Sequence, residues 1–525
     1  MADHDPWWRN AVIYQIYPRS FADSDGDGVG DIDGIRAHLQ HLRGLGVDAI
    51  WMSPWYPSPM ADAGYDVADF RDIDPVFGDL AAAEALITEA HAVNIRMIVD
   101  IVPNHISSAH PWFQAALASP DAPEREYFWF RAGRGDRMPT EWVGEFGGTT
   151  WTQAPDGQWY LHLFTPEQPD LNWEHPDVRA EFESILRFWF DRGVDGIRID
   201  SAALLLKDGT LPEVIDGEPH PFHDLDGVHD VYRAWRRVAD SYPDRALIGE
   251  VWMPDVSRFA KYLRPDELHA AFNFDFLGCA WEPRLMRECI DRTLAAHETI
   301  GAPATWVLSN HDVTRHVTRY GRAKTTFSFE ENLDGTPVDL ELGTRRARAA
   351  ALLSLSLPGA TYIYQGEELG LWENENIPAD AFVDPMWQRR GHSRDGCRVP
   401  LPWSGDEPPF GFSTGTPWLP QPAEWKDRTV QAQSGDPSSM LELYRAAIHL
   451  RRTEEGLHRS TMAWLDAAPG VLAYTRGSAF ACVLNMSGIP VPLPDHHSCL
   501  LASGPLDGTL LPPDAAVWLR LHPGK

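Results

Sequence analysis

Residues 177–200 read DVRAEFESILRFWFDRGVDGIRID, and this stretch decides the fold. An amphipathic helix over 177–191 is followed by a glycine-marked turn and a short apolar strand over 196–199, which ends on a carboxylate, Asp200. Helices alternating with short β-branched runs build a parallel sheet with crossover helices. The same unit recurs outward in both directions. Candidate strands lie at 12–17, 49–52, 96–102, 196–199, 246–249, 271–274, 305–308 and 361–364, with helices at 34–45, 79–92, 177–191, 230–240 and 344–355. Eight such units predict a closed (β/α)8 barrel of the TIM type, whose chemistry sits on loops at the carboxyl ends of the strands.

The polar residues obey that rule. Asn104, His105, Asp200, Glu250, His311 and Asp312 each follow an apolar run directly, and Asp66 follows the second run at a short remove. Two connections are too long for ordinary loops, one after the third strand and one after the eighth, and loops of that size usually shape a site. Beyond a helix at 440–452 the pattern changes to short alternating strands at 471–476, 479–485 and 491–493 with Gly and Pro turns. The expected division is a catalytic barrel over 1–105 and 175–457 with a lid-like insertion at about 371–438, an inserted subdomain at 106–174, and a C-terminal antiparallel β-sandwich domain at 458–525. No repeat of fixed period and no low-complexity tract interrupts this plan.

Composition narrows the function. The 525 residues carry 76 acidic against 45 basic side chains, a formal charge of -31. Such a field repels phosphate backbones and anionic lipid, so neither nucleic acid nor a membrane surface is an expected partner, whereas a neutral substrate is not repelled. Trp 22, Tyr 14 and Phe 22 suit a ligand that stacks apolar faces on aromatic planes, although aromatics also fill cores. The five cysteines, Cys279, Cys289, Cys397, Cys482 and Cys499, form no C-x-x-C pair or short-domain framework, which fits reduced thiols in a cytoplasm. The first ten residues, MADHDPWWRN, contain no signal-peptide pattern, and no apolar run reaches membrane-spanning length. A monomer or homodimer is expected.

Two motifs carry chemistry. The loop Asp23-Ser-Asp-Gly-Asp-Gly-Val-Gly-Asp31 alternates carboxylates with glycines, so a curled backbone can aim several oxygens at one hard cation. Asp23, Asp25, Asp27, the Val29 carbonyl and Asp31 are the expected ligands of a structural Ca²⁺ or Mg²⁺, since four unpaired like charges this close would repel one another. It is not an EF-hand, because Gly34 stands where the closing Glu would be.

The second motif is a set of three strand-end carboxylates: Asp200 in GIRID, Glu250 in IGEVW and Asp312 in SNHD. Any one alone reads better as a structural salt bridge; three at barrel strand ends reverse that and point to glycoside hydrolysis or a divalent metal centre. Arg198 decides against the metal, because two residues before Asp200 it points to the same side of the strand. A guanidinium there is expected to lower the Asp200 pKa and keep it ionised, as a nucleophile requires. Partial burial of Glu250 beside Val251 and Trp252 is expected to raise its pKa, as an acid catalyst requires. His105 and His311 lie in Asn-His pairs that fit hydrogen bonding to sugar hydroxyls. The one G-x-S-x-G match, Gly411–Gly415, lacks the flanking strand and helix of a nucleophile elbow.

These segments resemble, in order, the signature regions of the α-amylase superfamily: DIVPNH at 100–105, GIRID at 196–200, GEVW at 249–252 and SNHD at 309–312, with QIYPRS at 15–20, QGEELG at 365–370 and RDGCRVPLPW at 394–403. The resemblance implies Asp200 as nucleophile, Glu250 as general acid/base and Asp312 as transition-state stabiliser, with Arg198, His105 and His311 framing the same sugar. The metal loop and the 394–403 segment are similar to the α-glucosidase and oligo-1,6-glucosidase branch. There Tyr65 and Asp66 would belong to the end of the pocket, with Arg398, or second Arg394, as the arginine partner of Asp66. The implied activity is a retaining, exo-acting α-glucosidase on short α-gluco-oligosaccharides that also transfers glucose to other sugars (transglucosylation), with an α-1,6-preferring oligo-glucosidase or a sucrose or maltose isomerase as the alternatives. Ile197 replaces the usual Phe. Ser201, where 1,6-preferring relatives commonly carry Val, favours α-1,4 linkages.

Overall fold

A computed structural model describes residues 5–216, 220–328, 331–458 and 461–522. Eight parallel strands form the central sheet: β1 (Val12–Ile16), β2 (Ala49–Met52), β3 (Arg96–Ile101), β4 (Gly196–Ile199), β5 (Ala246–Gly249), β6 (Ala270–Ala271), β7 (Thr305–Val307) and β8 (Ala360–Tyr364). They follow one another in the order β7-β8-β1-β2-β3-β4-β5-β6. At the seam between β6 and β7, the Thr305 hydroxyl donates to the Ala271 carbonyl at 2.6 Å. The result is a nearly closed (β/α)8 barrel.

The strand sequences look uniformly apolar because both faces are buried, as parallel sheets require. One face of each strand fills the barrel interior with Ile13, Ala49, Trp51, Ile98, Ile248, Val307 and Tyr362. The alternate residues, among them Tyr14, Ile50, Val99, Ile197, Leu247 and Ile363, pack outward against the helices in the main core. This is the period of two expected of a strand.

Two local expectations are corrected. The helix predicted over 34–45 is two helices, Ile32–Ala37 and Leu39–Leu45. The break falls at His38, whose ring nitrogen lies 2.8 Å from the Gly34 carbonyl and whose backbone N–H turns back to Ile35. The sixth strand, predicted over 271–274, is only Ala270–Ala271. Asn273 caps a short helix, Phe274–Leu277, by accepting the Phe276 N–H at 3.0 Å. An Asn cap outweighs the strand preference of the two phenylalanines beside it.

Between β3 and β4 the chain forms the helix Pro111–Ala118 and a three-stranded antiparallel sheet of Phe130–Arg131, Trp159–Leu161 and Trp151–Gln153. After the helix Met440–Thr453 comes a five-stranded antiparallel sheet: β9 (Met462–Trp464), β10 (Val471–Arg476), β11 (Phe480–Asn485), β12 (Ser498–Ala502) and β13 (Ala515–Arg520), in the order β9-β10-β11-β13-β12. The sheet is pinned to the barrel helix Leu340–Ser356. Trp518 Nε1 donates to the Leu352 carbonyl at 3.0 Å, and the Tyr474 and Ser356 hydroxyls lie 2.6 Å apart. No described helix is long and apolar enough to cross a membrane.

Candidate active site

β4 delivers Arg198 and Asp200 to the same side of the sheet. The Arg198 guanidinium donates from Nη1 to Asp200 Oδ1 at 2.7 Å and from Nη2 to Glu250 Oε2, at the end of β5, at 2.6 Å. Its Nη1 also lies 3.0 Å from both oxygens of Asp100, its register partner on β3. One buried cation therefore sits under three carboxylates, two of which, Asp200 and Glu250, open into one cavity of about 320 Å³. That volume is at the small end of the roughly 300–1,000 Å³ range of small-molecule sites.

Burial governs the protonation states. It pushes Glu250 up to about 7, against the pull of Arg198, and the nearby Asp200 and Asp312 add to the rise. The direction is the one that the sequence predicts from burial beside Val251 and Trp252. Asp200 departs from expectation: desolvation raises it to about 6, although Arg198 and the Ser201 hydroxyl both favour its ionised form. A guanidinium at 2.7 Å does not outweigh the loss of water from a buried carboxylate that has Asp100 nearby. Asp100 is itself raised to about 7, again chiefly by burial.

Ser201 joins the two carboxylates. Its hydroxyl donates to Asp200 Oδ2 at 2.8 Å and its backbone N–H to Glu250 Oε2 at 3.0 Å. To do both, it adopts a left-handed backbone with φ 47°. Such conformations are costly for a non-glycine residue and cluster at functional sites. Trp252 Nε1 donates to the other Glu250 oxygen at 2.8 Å.

At the opposite wall, Asp312 follows β7. Its Oδ1 receives Arg394 Nη1 at 2.9 Å and Arg398 Nη2 at 2.8 Å, and its Oδ2 lies 3.2 Å from His311 Nε2. Burial alone would raise Asp312, but His311 and the two guanidiniums hold it well below the usual carboxylate range. Burial keeps His311 itself neutral, with its pKa lowered to about 3, so the two arginines are the lasting cause. The His311 ring stacks on Tyr65 at 5.2 Å, and Gln15 Nε2 lies 2.7 Å from its Nδ1. His105 lines the cavity. Its Nε2 lies 2.9 Å from Gln168 Nε2, and that amide nitrogen also donates to Asp62 at 3.1 Å.

Two expected site residues are placed elsewhere. Asp66 is fully buried, and its carboxylate accepts the Ser58 hydroxyl at 2.8 Å and the Ala61 and Asp62 N–H groups at 3.0 Å each, so it does not line the cavity. Asp62 does. A tight turn, with the Tyr65 N–H returning to the Asp62 carbonyl at 2.9 Å and positive φ at Ala63 and Gly64, separates the two side chains. The arginine facing Asp62 is Arg394, at 2.8 Å, rather than Arg398. Arg398 lies behind, with its Nε on the His311 carbonyl at 2.8 Å. Nothing in the local sequence distinguishes Asp62 from Asp66.

Arg394 also reaches Asp384 at 2.8 Å and lies 4.8 Å from the Phe146 ring centroid. The helix that Asp384 caps, Pro385–Arg390, carries two more arginines toward the 106–174 insertion. Arg389 Nη1 donates to the Gly147 carbonyl at 3.2 Å, and Arg390 Nη2 donates to the Glu145 carbonyl at 2.5 Å. The two long connections thus meet over the cavity and wall off its Asp62 end.

The acidic loop lies apart from this cavity. Asp23, Asp25 and Asp27 each offer a carboxylate oxygen, all within 4.8 Å of one another. Gly26 and Gly28 permit the curl with φ of +88° and +95°, and a Cβ on Gly28 would meet the Thr416 carbonyl at 2.0 Å. Asp31 is not in this cluster. Its oxygens cap the following helix through the Gly34 N–H at 2.6 Å and accept the Ser24 N–H at 2.7 Å. Val29 donates its N–H to Asp27 Oδ1 at 2.8 Å.

A parallel barrel with buried, cation-bridged carboxylates facing one small pocket defines a glycoside hydrolase of the two-carboxylate kind. Residues 15–460 match the family model for the α-amylase catalytic domain, and the chain belongs to that family, in its α-glucosidase branch. A probable α-glucosidase of Rhizobium meliloti (strain 1021) is 36% identical over 92% of this chain and 89% of its own. The oligo-1,6-glucosidase of Parageobacillus thermoglucosidasius is 34% identical over 93% and 92%. The crystal structure of an α-glucosyl transfer enzyme, XgtA, superimposes with a TM-score of 0.87 at 34% identity, covering 99% of this chain and 100% of that one.

Proposed function

We propose that this chain is a retaining, exo-acting α-glucosidase that removes glucose from the non-reducing end of short α-glucosides, with Asp200 as nucleophile and Glu250 as acid/base. The observation that carries the reading is the Arg198 fork, which holds both carboxylates against one cavity. That bridge favours the narrow separation of a retaining pair, roughly 5–5.5 Å, over the wider gap that inversion needs for its water. Glu250, raised to about 7, holds a proton near neutral pH and gives it to the leaving oxygen while Asp200 attacks the anomeric carbon. A water or another hydroxyl, deprotonated by Glu250, then resolves the glucosyl ester.

The walled end formed by Asp62, Arg394 and Asp312 supports exo action, since a polymer could not run through it. Asp312, held ionised by its arginines, strengthens its grip on ring hydroxyls as positive charge develops on the sugar. The small side chain of Ser201 supports a preference for α-1,4 over α-1,6 linkages. A structural Ca²⁺ or Mg²⁺ fits the oxygen-only donor set of Asp23, Asp25 and Asp27. A cytoplasmic setting is consistent with five free thiols.

A product-resolved assay on maltose, isomaltose, sucrose and trehalose tests the reading, with Asp200→Asn as the control. The expected result is α-configured glucose released first from maltose, and turnover reduced by roughly 10⁴-fold or more in the variant. A disaccharide isomer as chief product would make the protein an isomerase instead. Near-normal turnover by Asp200→Asn would remove the assignment.

A further inference from the structure

The chain between β6 and the helix Pro283–Ile300 turns so as to bring two thiols together. Glu282 makes the turn: its N–H donates to the Ala280 carbonyl at 2.8 Å, and its carboxylate accepts the Leu285 N–H at 2.8 Å and the Arg284 N–H at 3.2 Å, capping the helix. The residues just before the turn are laid back along the helix. Cys279, whose N–H donates to the Phe276 carbonyl at 3.2 Å, packs against the main core, which the helix enters through Met286, Cys289 and Ile290. There the Cys279 and Cys289 thiols meet in a hydrogen bond.

The surroundings make the two sulfurs unequal. Arg319 is 1% exposed and spends all three nitrogens on carbonyls: Nε on Thr314 at 3.1 Å, Nη1 on Leu277 at 2.8 Å and Nη2 on Leu308 at 2.6 Å. Among the described residues no carboxylate pairs with it, so its charge acts on what lies near, and Cys279 is near. Arg292 acts in the same sense, although Asp275, bonded to it at 2.8 Å, opposes. The bond from Cys289, then these two guanidiniums, hold the Cys279 thiol below its ordinary range against the effect of burial. The same bond, together with burial, pushes Cys289 up. One thiol thus loses its proton readily while its neighbour keeps one, which is the division between an attacking and a resolving cysteine.

The other three cysteines lack this combination. Cys397 and Cys482 are fully buried, and burial pushes both thiols up. Cys499 is exposed, but partial covering of its sulfur pushes its thiol up as well. Only Cys279 is both half-exposed and lowered.

We infer that Cys279 and Cys289 form a reactive dithiol that exchanges with a low-molecular-weight disulfide and closes into an intramolecular disulfide. The Cys279 thiolate attacks one sulfur of the small disulfide. The bond between its two sulfurs breaks, one thiolate departs, and Cys279 is left in a mixed disulfide. Cys289 then gives up its proton to the departing thiolate, its sulfur attacks that of Cys279, and the second small thiolate leaves. The protein loses two hydrogens and two electrons, and the small disulfide is reduced to two thiols. No group of the sugar pocket takes part, so the inference stands apart from the glucosidase reading.

The test incubates the reduced full chain with oxidised glutathione at neutral pH, blocks the remaining thiols by alkylation, and maps the peptides by mass spectrometry. The expected product is the Cys279–Cys289 cross-link, reversed by dithiothreitol, formed at least about tenfold faster than any adduct on Cys499. Cys289→Ser should stop at a glutathione adduct on Cys279, and Cys279→Ser should leave Cys289 unmodified. If either variant fails to fold, the peptide map of the unaltered chain still decides. Reaction at Cys499 before Cys279, or a lasting glutathione adduct on Cys279 of the unaltered chain without closure onto Cys289, would overturn the inference. So would recovery of both thiols unmodified.

Discussion

Replacing Asp62 and Asp66 one at a time by Asn should separate substrate recognition from stability in two residues only four positions apart. Asp62 faces the cavity, and burial raises it to about 6 even though Arg394 favours its ionised form. When it is lost, Arg394 keeps Asp312 at 2.9 Å and Asp384 at 2.8 Å, so the buried cation stays paired and the fold should be nearly unaffected. What disappears is a charged acceptor for sugar hydroxyls, worth about 1.5–3 kcal/mol. At 1.36 kcal/mol per decade, kcat/KM on maltose should fall roughly ten- to hundredfold.

Asp66 behaves oppositely. Its two oxygens accept three donors, from Ser58, Ala61 and Asp62. An Asn must set its NH₂ group against at least one of them, which costs about 1–3 kcal/mol of stability with little change in kcat/KM for the folded enzyme. Urea midpoints and maltose kinetics on both variants decide the matter. The reasoning fails if Asp66→Asn loses activity at normal stability while Asp62→Asn turns over normally.

Four further outcomes are expected. Activity should rise with pH through about 6, as Asp200 loses its proton, and fall above about 7, as Glu250 loses its own. Because the Ser201 hydroxyl lowers Asp200, Ser201→Ala should move the acid limb of kcat/KM to higher pH; an unmoved limb in a folded variant would contradict that link. Lys207 is fully enclosed, with its Nζ 2.7 Å from Asp170 Oδ2, the Asn104 side chain and the Leu204 carbonyl. Lys207→Met leaves a buried carboxylate unpaired and should cost about 3–5 kcal/mol in urea unfolding; a loss below about 1 kcal/mol would refute the pairing argument. Exhaustive chelation should lower both metal content and melting temperature through the Asp23, Asp25 and Asp27 site, and no change in either would remove the metal from the account.

The sequence by itself determined the barrel. Strands buried on both faces must be apolar along their whole length, so seven of the eight could be read almost to the residue. The weak one, β6, was misplaced because the Asn273 cap acts on a helix that its two phenylalanines disguise. The three carboxylates were legible for the same local reason: Asp200 and Glu250 directly follow apolar strands, and Asp312 lies in the short segment after β7. Only the tertiary structure decided how they work. The Arg394–Asp62 pair joins residues 332 positions apart, and choosing it over Arg398 and Asp66 depends on a turn whose direction the local residues do not encode. Asp31 lies outside the cluster of Asp23, Asp25 and Asp27 because its oxygens cap a helix N-terminus. Asp200 was expected low and lies high, because desolvation depends on how completely the assembled barrel excludes water, whereas a neighbouring arginine can be read from a spacing of two. The pattern of the chain tells which groups meet; the balance between water lost and charge gained exists only once they have met.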